Sequence, residues 1–328
     1  MNNITNLLIT GGRGYVGSNT INTLFYKYPN INFIVVGLTK NNEKKTINKD
    51  IVKSNRYVYY QANIGNEKKI MKILKKHQIE YIIDLAVFMP WFINIISNEK
   101  YITNNVIYRN TFFNTCIKYG KIKHIIYQSS YLYITNTLDN YNFAKNVYPK
   151  YKYKHNLYDT TKSTALSLAY NIHTMNELPI TIVSPNYIYG GMNQHPQDFI
   201  LLYINELCKT NQIILNKNSN TNYNNWISVF DVIEAYSIIF SYGYNGKNYN
   251  LYNIDQYYTD EQLAKMIIEN IKHTTDYSKY IKYNNCVYTI IPNLKEYILP
   301  TNFLPNEFKT HNTFEFEVKK ISKCYNDI

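Results

Sequence analysis

Arginine is almost missing from this chain. Of 328 residues only Arg13, Arg56 and Arg109 are Arg, although Lys and Arg together number 35. Proteins that read nucleic-acid bases lean on the planar guanidinium fork, so the net charge of +12 is not taken as a nucleic-acid signature. The lysines are scattered, with only short clusters such as Lys44-Lys45 and Lys75-Lys76, and a small anionic partner accounts for the same surplus. Cysteine is as sparse. Cys116, Cys208, Cys286 and Cys324 stand far apart with no Cys-x-x-Cys pair, which excludes a zinc cage and a disulfide scaffold. No metal site is expected. Long apolar runs are lacking too, and no basic segment followed by an apolar stretch opens the chain. Neither a membrane span nor a signal peptide is expected, and a cytoplasmic setting follows.

Tyr, by contrast, is in excess at 36 residues. The hydrophobic fraction is 45% and charged residues are 18%, a globular composition able to bury a large core. Short apolar runs read as strands at Asn6 to Thr10, Asn32 to Val36, Tyr57 to Gln61, Tyr81 to Leu85, His124 to Gln128 and Pro179 to Val183. Amphipathic segments lie between them at 16–27, 66–77, 103–119 and 159–175. Apolar strands alternating with helices predict a doubly wound parallel α/β sheet of the Rossmann type, covered on both faces. Beyond residue 185 the rhythm weakens. Residues 197–210 and 260–271 look helical, 217–225 reads as an Asn-rich loop, and the tail past 300 carries no clear signal. The expected division is a dinucleotide-binding domain over 1–185 and a smaller substrate-binding part over 186–328.

The turn between the first strand and the first helix runs Thr10-Gly11-Gly12-Arg13-Gly14-Tyr15-Val16-Gly17. Glycines at 11, 14 and 17 suit a sharp turn, close approach of backbone to a pyrophosphate, and tight packing of helix on strand. Gly11, Gly14, Tyr15, Val16 and Gly17 are therefore expected to bind a dinucleotide. NAD is the expected cofactor, with NADP as the alternative. An acidic residue usually closes the second strand to hold the adenosine ribose. Here the strand continues Gly37-Leu38-Thr39-Lys40 with no acid, and Lys40 either faces a 2′-phosphate or is simply solvated.

Tyr158-Asp159-Thr160-Thr161-Lys162 opens a helical pattern, and the i, i+4 spacing puts Tyr158 and Lys162 on one face. An ammonium and an oxidised nicotinamide ring nearby would lower the phenol from its reference pKa of about 10 and fit it for proton transfer. In a chain so rich in both residues the motif recurs, at Tyr119/Lys123, Tyr141/Lys145 and Tyr148/Lys152. Context favours Tyr158: the small and apolar run Ser163 to Leu166 suits a helix packed on a sheet, and Ser129, about thirty residues earlier, ends the fifth strand. Ligands bind at that carboxyl edge, where the Ser129 hydroxyl can hold a reacting oxygen.

Taken together, these residues resemble the extended short-chain dehydrogenase/reductase family, in particular its nucleotide-sugar epimerases and dehydratases. The resemblance spans about residues 5 to 255. Asp84-Leu85-Ala86, Asn105-Val106, Asn186-Tyr187-Ile188-Tyr189-Gly190 and Trp226 to Val232 add to it. It implies Asn63 and Ile64 near adenine, Ala86 on the nicotinamide side, and Ser129, Tyr158 and Lys162 as the catalytic trio. Ser130, Tyr131 and Asn186 would meet a nucleotide-sugar substrate, and a homodimer is implied as the assembly. The implied first step is oxidation at sugar C4, with Tyr158 taking the hydroxyl proton.

Two departures narrow the reading. Sugar 4,6-dehydratases follow the catalytic Thr with an Asp-Glu pair, whereas Ser130 and Tyr131 stand here and offer no carboxylate. That chemistry favours a 4-epimerase, with a 4,6-dehydratase or a 4-keto-sugar reductase as the alternative. The family's diphosphate-clamping arginines are also absent, with Ser184 and Asn224 in their places, which keeps a non-catalytic dinucleotide-binding protein as a third reading.

Overall fold

The computed structural model describes residues 1, 3–40, 46–89, 96–130, 157–194, 198–217, 219–220, 223–243, 246–253, 256–284 and 314–326. Within them the strands are β1 (Asn6–Thr10), β2 (Asn32–Gly37), β3 (Tyr57–Gln61), β4 (Tyr81–Asp84), β5 (His124–Gln128), β6 (Ile180–Pro185), β7 (Tyr187–Tyr189), β8 (Ile213–Asn216), β9 (Tyr223–Ser228), β10 (Asn248–Leu251), β11 (Tyr257–Thr259) and β12 (Ile281–Asn284). The helices are α1 (Tyr15–Lys27), α2 (Lys49–Lys53), α3 (Glu67–Lys76), α4 (Asn98–Ile102), α5 (Tyr108–Tyr119), α6 (Leu157–Asn176), α7 (Phe199–Thr210), α8 (Val229–Tyr242), α9 (Asp260–Lys272) and α10 (Phe314–Asn326). A π-helical turn, Thr103–Ile107, joins α4 to α5.

The seven-stranded main sheet has the order β10-β6-β5-β4-β1-β2-β3, and each neighbouring pair is parallel. Chain order reverses between β1 and β4, which makes the crevice beyond their carboxyl ends the natural ligand site. The alternation of a strand is visible in β1. Leu7 and Ile9 join Phe33 and Val35 under α1 and α8, while Leu8 joins Ile34, Ile82 and Phe112 on the opposite face. Both faces are apolar, so the strands read as continuous hydrophobic runs. A third cluster, built around Tyr189, Trp226, Leu263 and Phe314, forms the core of the later part.

One expectation is corrected here. The 217–225 stretch is not all loop: Tyr223 opens β9, which pairs with β7 in parallel and with β11 in antiparallel register. Its asparagines misled the reading because Asn225 is fully buried and satisfied by hydrogen bonds to Asn253 and Gln256, a use of Asn that composition does not reveal. The tail contains α10, whose Phe314 stacks on the Tyr258 ring with centroids 4.8 Å apart. Later elements also join the main sheet: β10 returns to pair with β6, and α8 packs against α1. Among the described residues no helix is long and apolar enough to cross a membrane, and no group of three His, Cys, Asp or Glu is placed to hold a metal.

Candidate active site

The glycine turn fits a dinucleotide's phosphates on steric and electrostatic grounds. Gly11 has φ +64°, and a Cβ there would lie 2.8 Å from the Leu85 carbonyl oxygen. A Cβ on Gly17 would come within 2.5 Å of Gly11 O and Gly12 Cα, so the helix could not sit this close to the turn with any other residue. Gly14 caps α1 without a side-chain bond, and the first turn holds no acidic residue. An uncapped helix start beside an all-backbone cradle offers N–H groups and a positive dipole end to an anion. Val16 is half-buried in the same turn. Tyr15 contributes main chain only, because its phenol donates to Gly190 O at 2.7 Å and locks the turn to the end of β7. Asn19 reinforces that joint, donating to Met192 O at 2.7 Å and accepting from Met192 N at 2.9 Å.

At the end of β3, where adenine is expected, Asn63 Oδ1 accepts from Gly65 N at 2.8 Å, which shapes the turn. Ile64 is buried in the core beneath it. Asn63, Gly65, Asn66, Glu67, Lys68 and Tyr108 line an open groove of about 520 Å³. Lys40 is exposed, and its carbonyl accepts from Arg13 at 3.3 Å.

Between these ends lies a buried polar lattice. Thr10 Oγ1 donates to Asp84 Oδ1 at 2.5 Å and accepts from the amides of Leu85 and Ala86, each at 3.1 Å. Arg109 reaches from α5 to pair with Asp84 and to donate to the Ala86 carbonyl. Both ions are at most 1% exposed, so neither is tolerable without the other. Ala86, expected on the nicotinamide side, is thus fixed through both its amide and its carbonyl. Asn105, in the π turn, accepts from Phe88 N at 2.7 Å and donates to Phe88 O at 3.0 Å, clamping the segment that follows.

The Arg109 guanidinium lies 4.5 Å from the Tyr127 ring centroid, and Lys162 Nζ approaches the same ring at 5.8 Å. Lys162 is 5% exposed; it donates to Gln128 O at 3.1 Å and lies 5.9 Å from the Tyr158 ring. Tyr158 and Lys162 therefore share one face of α6, turned toward the end of β5. The two serines separate. Ser129 sits beside the Tyr127 phenol, with its amide bonded to Val183 O at 2.7 Å. Ser130 lies close to the Tyr158 phenol. Tyr131 lies outside the described residues, as do the pairs Tyr141/Lys145 and Tyr148/Lys152. Lys123, the partner in the remaining pair, is an exposed residue bonded to Glu80 at 2.9 Å.

The phenol is expected to be lowered by an ammonium and an oxidised nicotinamide ring together, and the chain's own groups by themselves act the other way. Burial, followed by Tyr101, Asp159 and Tyr127, pushes Tyr158 well up, with Ser130 pulling the other way. Lys162 is itself pushed down to about 7, first by burial and then by Arg109, against a smaller pull from Asp84. Near neutral pH the ammonium is only partly formed, so it stabilises a phenolate poorly.

Asn186 is buried and donates to Asn225 Oδ1 at 3.2 Å, and its own Oδ1 has no hydrogen-bond partner among the described residues. Ser184 bonds Asn248 at 3.0 Å and Asn224 bonds Asp260 at 3.1 Å, so no cation stands at either place. The sequence reading gave no role to Arg109. Its signal was an Asp closing an otherwise apolar strand, which requires a buried cation, in a chain with three arginines.

Residues 7–255 match the family model described as NAD dependent epimerase/dehydratase family. A dTDP-D-glucose 4,6-dehydratase of Dictyostelium discoideum is 27% identical over 274 residues, covering 81% of this chain and 62% of that protein. The dTDP-D-glucose 4,6-dehydratase of Homo sapiens is 23% identical over 276 residues, covering 83% and 76%. Two solved structures share the fold. One is dTDP-glucose 4,6-dehydratase of Bacillus anthracis in complex with NAD, with TM-score 0.77, 20% identity and coverage of 98% and 97%. The other is UDP-glucose 4-epimerase of Thermotoga maritima with UDP-glucose, with TM-score 0.76, 18% identity and coverage of 98% and 99%. With more than half its length matched, the chain belongs to the NAD dependent epimerase/dehydratase family, a family of enzymes.

Proposed function

We propose that this chain modifies a nucleotide-linked hexose by reversible oxidation at C4, as a 4-epimerase does. The observation that carries the reading is the juxtaposition of Tyr158, Lys162 and Ser130 at the carboxyl end of β5, on the side of the sheet where the glycine turn fits a dinucleotide. A nicotinamide dinucleotide, NAD or its 2′-phosphorylated form NADP, supplies the hydride acceptor and a positive ring when bound. Tyr158 Oη takes the proton of the C4 hydroxyl as the carbonyl forms, and returns it when the carbonyl is reduced from the other face. Ser129, which follows β5, steadies that oxygen, with Ser130 close to the phenol beside it. Lys162 holds the base of the site through Gln128 O, and a positive ring beside the phenol supplies the pull toward phenolate that Lys162 lacks. Asn186, with its unpartnered buried carbonyl oxygen, is the group offered to the sugar.

The dehydratase reading is favoured by the names of the sequence relatives. Against it, Ser130, Tyr131 and Leu132 include no carboxylate to move a proton across C5 and C6. Incubating the protein with UDP- and dTDP-hexoses and weighing the products separates the readings. Epimerisation conserves mass, dehydration removes water, and keto-sugar reduction consumes the reduced cofactor. A dehydrated product refutes the epimerase reading, and turnover that survives Tyr158→Phe refutes the assignment of the base.

A further inference from the structure

The end of β2 decides which dinucleotide a fold of this kind accepts. A carboxylate there accepts from the ribose hydroxyls of NAD, whereas a nearby Arg accommodates a 2′-phosphate. In this chain β2 closes at Gly37, and Leu38, Thr39 and Lys40 follow. The space beside Gly37 belongs to Tyr59: a Cβ at Gly37 would meet its phenol oxygen at 3.4 Å, and that phenol donates to Thr39 O at 2.5 Å. On the Tyr59 ring lies Arg13, with its guanidinium carbon 3.4 Å from the centroid. Arg13 also donates to Lys40 O at 3.3 Å. The glycine turn and the β2 end are therefore bridged by one guanidinium, held flat by an aromatic face at the place where a ribose-binding acid would stand.

This arrangement suits an anion better than a diol. Guanidinium has only donors, so a ribose hydroxyl meets it as an acceptor and leaves its own proton unmatched. A phosphate brings close to two negative charges and three acceptor oxygens, which match the fork of donors. Stacking on Tyr59 places the guanidinium before the ligand arrives, so less rotamer freedom is lost on binding. Lys40, exposed in the same turn, adds a second cation.

We propose that Arg13, seated on Tyr59 beside the glycine at the end of β2, and Lys40 form a 2′-phosphate site that makes this chain prefer NADP to NAD. The proposal rests on reading the glycine turn as the dinucleotide site. It sets this chain apart from structural neighbours that carry NAD.

The test is equilibrium binding to the full-length protein, with no sugar present, of NADP, NAD, 2′,5′-ADP and 5′-ADP. NADP should bind at least about tenfold tighter than NAD, and 2′,5′-ADP tighter than 5′-ADP by a similar factor, since a charged hydrogen bond is worth about 1.5–3 kcal/mol. The preference should shrink as salt rises. Arg13→Ala should cut the NADP-to-NAD affinity ratio by about tenfold to a hundredfold, Arg13→Lys by less, and Gly37→Asp should turn the ratio toward NAD. Equal or tighter binding of NAD overturns the proposal, as does an Arg13→Ala ratio within about twofold of wild type. If the folded protein binds none of the four probes, the dinucleotide reading itself falls, an outcome distinct from binding without preference.

Discussion

Lys162 carries a charge that this fold opposes, and its removal should be legible in stability as a function of pH. The side chain is 5% exposed, has the Gln128 carbonyl as its acceptor, and lies near Arg109, while Asp84, the carboxylate that pulls the other way, is already bound to Arg109. Burial first, then Arg109, takes the ammonium from 10.5 down to about 7. Its folded value lies below its unfolded one. Between these values the unfolded chain binds a proton that the folded chain does not, so stability rises with pH across that window and is lowest below it. At 1.36 kcal/mol for each tenfold change, the whole difference is about 5 kcal/mol. Water entering around the charged ammonium returns part of this, and a net gain of about 2–4 kcal/mol is expected. Urea melts from about pH 8 to about pH 9.5 avoid the chain-terminal amine, which is also lowered and acts below about 8, and the buried tyrosines, whose raised values act with the opposite sign above about 10. The wild type should gain stability across this range relative to Lys162→Met, at constant m. Parallel pH profiles for the two proteins would refute the claim that the fold holds Lys162 against its charge.

Removing one member of the Arg109–Asp84 pair strands the other. Arg109→Met should cost about 3–5 kcal/mol in urea melts, and adding Asp84→Asn should recover more than half of that loss. Gly17→Ala drives a Cβ to 2.5 Å from Gly11 O and Gly12 Cα, so a loss of about 1–3 kcal/mol is expected, with dinucleotide affinity falling at least about tenfold by fluorescence titration. Asn105→Ala removes the two bonds that Asn105 makes to the Phe88 main chain, while Tyr101 keeps its own bond to Phe88 O. The substitution should cost about 1–3 kcal/mol and speed amide exchange in the segment after β4; unchanged exchange there would argue against the clamp.

The first six strands and the glycine turn were legible in the sequence because their signals are local. A strand buried on both faces must be apolar throughout, as Leu7-Leu8-Ile9 is, and Gly11 and Gly17 are needed by contacts within one strand-turn-helix unit. The same locality gave Tyr158 and Lys162 their shared helix face. What tertiary structure alone decided involves partners distant in the chain. Arg109 meets Asp84 across 25 positions, and Arg13 comes to rest on Tyr59. β10 returns 64 residues later to pair with β6 through Ser184 and Asn248. No periodicity encodes such pairings, because a polar side chain becomes informative only once burial has stripped it of water and obliged it to find a partner.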